Sequence, residues 1–256
     1  MQSSNPVLTR LGEAARQERS TGVGYAPSYP RVMTMDDVVV RTVALLAVTG
    51  IFGAGAWVLL PAGGAITAIA AIGSVIAGLV LGLVISFMRV TNPAVILPYA
   101  ALQGVALGLV SRWFESLYNG IVFQAVIGTF GIFAIMAVLY KFKVLRATPR
   151  FTKMVIGALI GVVVLSLANY LFFLFDINLG LRDYGTSGKV GWLPIVFSLV
   201  VVVVGALTFI LDFDAVDQGI RYGLPEKYAW YCAFGILVGL IFLYYEILRL
   251  LSYLRR

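Results

Sequence analysis

Histidine is absent from the 256 residues of the chain. That removes zinc sites of the HExxH type, imidazole haem ligation, a serine–histidine nucleophile and the side chain best suited to titrate near neutrality. Any response to protons must therefore use carboxylates, and aspartate and glutamate together number only 12. The single cysteine, Cys232, excludes an intrachain disulfide and falls inside an apolar segment, where it reads as a small core residue. Charge of either sign is scarce, at 12% of residues against about 25% in soluble domains. What replaces it is apolar: 61% of the residues are hydrophobic and the mean hydropathy is +0.96, the composition of an integral membrane protein.

Residues 1–37 are polar and rich in turn-forming residues, with no apolar run before a small-residue cleavage site, so they read as a flexible cytoplasmic tail with one short helical turn near Leu8 to Ala15. Seven apolar runs follow, near 38–60, 65–88, 94–111, 120–140, 153–175, 192–212 and 228–248. Each approaches the roughly 20 residues that cross a bilayer core. The expected fold is an all-α membrane domain over 38–256, a bundle of seven transmembrane helices with short links. Four Gly-x-x-x-Gly pairs, Gly78/Gly82, Gly104/Gly108, Gly157/Gly161 and Gly235/Gly239, predict close helix approach.

The net charge of +7 suggests nucleic acid until the charges are located. They lie in the links. With a cytoplasmic N-terminus, the inner segments carry Arg89, the cluster from Lys141 to Lys153, Arg221 and Lys227, and the outer loops only Arg112, Arg182 and Lys189. Arg249, Arg255 and Arg256 go against this bias if the last run crosses fully, as its uncharged residues 229–245 suggest. The partner implied is the lipid bilayer; oligomeric state is not readable.

Carboxylates in or beside a span are costly, so a cluster of them is a functional hypothesis. Asp212, Asp214 and Asp217 close the sixth run, where the helix dipole is unfavourable to negative charge. At about 100° per residue, Asp212 and Asp214 point to roughly opposite faces, whereas Asp214, Asp217 and Arg221 share a stripe. All three acids also fit as hydrated interfacial groups. Arg89 closes the second run, either as a snorkelling cation or as a bidentate partner for a neighbouring carboxylate. Glu246, the one acid of the seventh run, stands far from Asp214 along antiparallel helices and has Arg249 three residues on.

The order of Ile85-Ser-Phe-Met-Arg89, Phe213-Asp214 and Glu246-Ile-Leu-Arg-Leu-Leu251 resembles the transmembrane BAX inhibitor motif family, bacterial members included. The resemblance covers residues 35–256. It implies a bundle with the last helix at its centre, in a bacterial plasma membrane, that acts as a pH-sensitive calcium leak channel rather than as an enzyme. It also implies that Arg89 latches onto Asp214, and that a seventh-span aspartate pairs with the sixth-span acid. Here Val238 or Gly239 stands at that seventh-span place, with Glu246 about two turns on; Asp212, Asp217 and Glu246 are the additional carboxylates. No cofactor is expected; calcium enters as the permeant ion, with Asp212 and Asp214 as its candidate ligands. The alternative is a non-conducting regulator that binds membrane proteases or stress-response proteins. A retinal protein is excluded by the lack of lysine in the last run, and a rhomboid-type protease by the lack of histidine.

Overall fold

The computed structural model describes residues 31–61, 64–175, 179–182 and 190–256. Two units divide the chain, Met1–Arg31 and Val32–Arg256, and the described helices all belong to the second. They are α1 (Met35–Leu59), α2 (Ala65–Met88), α3 (Pro93–Leu117), α4 (Ile121–Lys141), α5 (Pro149–Leu174), α6 (Trp192–Arg221) and α7 (Tyr228–Leu254). Each of the seven is long and apolar enough to cross a membrane. The predicted tail lies mostly outside the described residues, as does Lys189.

Local signals set the helix starts. Thr34 and Asp37 form a reciprocal capping box, so α1 begins at Met35 and takes in Asp36 and Asp37, which the tail assignment had included. Asn92 and Thr148 cap α3 and α5, each followed by proline at the first helical position, where no backbone donor is needed. At the other end of α2, Arg89 adopts a left-handed conformation, φ 49°, and its N–H bonds to the Ile85 carbonyl.

Three helices run past the apolar runs from which they were predicted. Helix α3 continues to Leu117, α6 to Arg221 and α7 to Leu254, because polar residues in their last turns keep helical hydrogen bonds once beyond the hydrocarbon. The aspartates of α6 therefore lie within its last turns instead of ending it. Helix α7 is unbroken and long enough to cross fully. The Arg255 guanidinium donates to the Asn119 carbonyl and to Gln124 Oε1, both at 2.8 Å, at the α3–α4 turn. At the opposite end the residues before α1 meet the α6–α7 turn: Met33 N–H donates to the Leu224 carbonyl at 2.9 Å, and Arg41 pairs with Glu226.

Helix α7 packs against α1, α3, α4 and α6, while α2 rests on α3 and α5 on α6. Phe209, Leu237, Leu243 and Leu248 are fully buried along the α7 contacts. The outward faces of α2 and α5 carry exposed Ile69, Leu79, Ile160 and Leu167, apolar side chains suited to lipid.

The glycine pairs divide. A methyl group added at Gly104 or Gly108 would collide with the carbonyls of Thr49 and Gly53, so α1 and α3 touch backbone to backbone. The Thr49 hydroxyl stitches the same seam, at 3.2 Å from the Ala100 carbonyl. Gly78 and Gly82 make room for the side chains of Gln103 and Tyr99, and Gly239 for the ring of Phe209. Gly157, Gly161 and Gly235 have no such neighbour within 4 Å among the described residues, so the expected close approach is absent there. Gly108→Val should therefore destabilise the bundle by about 1–3 kcal/mol, read as a lower melting temperature in detergent, and Gly157→Ala, in open space within a helix, should leave it as stable or slightly more so.

Candidate functional site

The aromatic rings between α4 and α6 orient the acidic end of α6. Phe133 meets Phe209 and Phe213 with centroids 5.1 and 5.6 Å apart, and Tyr140 lies 5.7 Å from Phe213. With the helix rotation set by this stack, the three aspartates turn to different surroundings. Asp217 accepts a hydrogen bond from the Tyr140 hydroxyl at 3.1 Å and pairs with Arg221 at 3.5 Å. Asp214 accepts from Gln218 Nε2 at 2.6 Å, one turn on along its own helix. Asp212 faces α7: a methyl group built on Gly239 would lie 3.6 Å from its Oδ2. Among the described residues Asp212 has no hydrogen-bond or ion-pair partner.

Arg89 and Asp214 are not brought together. Arg89 is an exposed left-handed cap on α2, whose packing surface is α3 and not α6. Asp212 and Asp214, the pair expected to ligate calcium, also diverge, since two residues of helix separate their directions by about 200°. Among the described residues no group of three or more acidic, cysteine or histidine side chains is placed to hold a metal ion.

Glu246 is the unexpected centre. It is 4% exposed, inside the bundle and not at its edge. The anticipated pair with Arg249 exists, at 2.7 Å, and a second guanidinium joins it: Arg182 donates to Glu246 Oε1 at 3.1 Å. Arg182 also donates to the Ser166 hydroxyl on α5 at 3.0 Å, and its guanidinium carbon stands 5.5 Å from the centre of the Phe197 ring on α6. The Ser198 hydroxyl, in the second turn of α6, lies 3.5 Å from Glu246 Oε2. Arg182, Arg249 and Ser198 thus contact one carboxylate, while Ser166 of α5 and Phe197 of α6 hold Arg182 in place.

Sequence reasoning missed this constellation because Arg182 sits in a link, where a lone arginine looks like a topology charge. Nothing local marks it as reaching 64 positions along the chain to a buried glutamate. Ser166, a neutral polar residue inside an apolar run, receives the arginine.

Seven apolar helices, with carboxylates gathered on the last two, define a polytopic α-helical membrane protein. The chain belongs to the Bax inhibitor 1 like family, matched over residues 5–256. That match takes in most of the N-terminal tail, which the motifs alone had left out. No individual curated protein matches the chain at a significant level.

Two arginines on one carboxylate make the loss of the partners unequal. Glu246→Leu strands both guanidiniums and is expected to cost about 3–5 kcal/mol. Arg182→Leu gives up two hydrogen bonds but leaves Glu246 paired with Arg249, and should cost about 2 kcal/mol. Melting temperatures of the two variants in detergent test the order; equal losses would contradict the shared-carboxylate reading.

Proposed function

We propose that the protein is a cation leak pathway of the Bax inhibitor type, sensitive to pH, with calcium as its permeant ion. The observation that carries this reading is Asp212, a carboxylate on α6 that faces α7 without a counter-charge among the described residues. An uncompensated negative charge at the mouth of a helix bundle attracts cations and focuses the field on them. In the absence of histidine, its protonation is also a direct route to pH dependence.

The reading transfers the role of the sixth-span acid from Asp214 to Asp212. By the alignment of the closing motif, the family's seventh-span aspartate falls at Val238 or Gly239, and Gly239 lies opposite Asp212. One carboxylate then serves where the family uses two. Arg89 has no part in the conformation described. With the N-terminus cytoplasmic, as the lysine and arginine bias indicates, Asp212 stands at the cytoplasmic mouth: the start of α1 and the α6–α7 turn share that end through Met33, Leu224, Arg41 and Glu226.

One feature favours a second reading, a non-conducting regulator that binds other membrane proteins. Between the levels of Asp212 and Glu246 the contact is apolar and closed, with Phe209, Leu240 and Leu243 at most 3% exposed. Conduction requires α7 to shift against α6 along this layer. Flux separates the two readings. Protein in calcium-dye-loaded liposomes is expected to pass calcium, and Asp212→Asn to lower the rate about tenfold and to flatten its pH dependence, with Asp214→Asn much closer to wild type. Flux no greater than in protein-free liposomes would leave the regulator.

A further inference from the structure

The Glu246 cluster holds more positive charge than its carboxylate can neutralise, and the two arginines are not equivalent. Arg249 belongs to α7 itself and is partly exposed, at 33% of its side-chain surface. It moves with Glu246 wherever the helix goes. Arg182 arrives from the segment Leu179–Arg182, is 8% exposed, and its Nε has no hydrogen-bond partner among the described residues. Leu181, beside it, packs with Val162, Phe197, Val201 and Val204 of α5 and α6.

We propose that Arg182 is a detachable bolt that closes the end of the α6–α7 seam opposite Asp212. This rests on the leak-pathway reading and names its second point of closure. Four side chains make the closure. The guanidinium spans Ser166 on α5, the Phe197 ring on α6 and Glu246 on α7, tying three helices at one level. Fourteen residues of α6 separate Ser198 from Asp212 and seven of α7 separate Glu246 from Gly239, opposite Asp212, which puts the two levels about 10–20 Å apart at 1.5 Å per residue.

The stoichiometry makes the bolt reversible. Withdrawing the only partner of a buried carboxylate leaves a bare charge, which is strongly unfavourable. Here Arg249 remains 2.7 Å from Glu246 when Arg182 leaves, so a neutral pair stays behind. The departing guanidinium exchanges two hydrogen bonds and an unpartnered Nε for full hydration. What it uncovers is polar: Ser166, Ser198 and Glu246.

A sign difference follows. Arg182→Gln and Glu246→Gln both undo the bolt. Arg249→Gln does the opposite, because Glu246 then depends on Arg182 alone and holds it more firmly. A cluster with a merely structural role would loosen in all three variants.

Thiol accessibility reads this directly. In full-length protein carrying Cys232→Ser, which removes the only native thiol, Ser198→Cys places a reporter beside Glu246. Proteoliposomes are treated with a small water-soluble methanethiosulfonate reagent, after gel filtration establishes that each variant is monodisperse. The reporter is expected to react slowly in the otherwise unaltered chain. Arg182→Gln and Glu246→Gln should each speed it about tenfold, in proportion to the open population, and Arg249→Gln should leave it as slow or slower. Equal rates in all backgrounds, or equal acceleration by Arg249→Gln, would overturn the proposal. Calcium flux on the same vesicles separates the two claims: the labelling pattern without flux in any variant keeps the bolt and removes the conduction reading.

Discussion

Water is missing from the hydrocarbon core, and a polar group the chain carries there is costly unless it finds a partner. Glu246 is the severest case, a carboxylate 4% exposed on a helix packed on several sides. Its charge draws Arg249 from one turn along α7 and Arg182 from outside the helices altogether, with Ser198 of α6 beside its second oxygen and Ser166 of α5 holding Arg182. At that level α6 meets the last helix directly, and among the described residues α5 is linked to it through Arg182. At the other end the same constraint is met differently: Asp214 and Asp217 lie in the last turns of α6 and satisfy themselves with Gln218, Tyr140 and Arg221.

Between these ends the helices are held by shape. The α1–α3 seam is a backbone contact at Gly104 and Gly108, admitted only because neither residue has a side chain. The α4–α6 contact is a set of tilted and edge-on aromatic rings that fixes the rotation of α6. That rotation is a functional matter, since it decides which aspartate looks at α7. Asp212 does; Asp214, two residues on, cannot.

Much of this was legible beforehand. Seven helices follow from seven apolar runs because lipid leaves a chain few other ways to satisfy its backbone. The divergence of Asp212 and Asp214 followed from helical phase, and the Glu246–Arg249 pair from their spacing of three. Less legible was which glycine pair would meet a backbone: Gly104/Gly108 and Gly157/Gly161 share a spacing, yet only the first faces another helix closely. The link arginine Arg182 was invisible as a site residue, since no periodicity connects position 182 to position 246.

The sequence by itself determined the class of protein, the number of spans, the carboxylates available for proton chemistry and the absence of imidazole, because these depend on composition and on local hydrogen bonding. Tertiary structure alone decided which polar residues meet. It placed Asp212 opposite Gly239, kept Arg89 away from Asp214, and carried Arg182 into the bundle, because partnership inside a membrane depends on which helices adjoin, and that is a property of the packed whole.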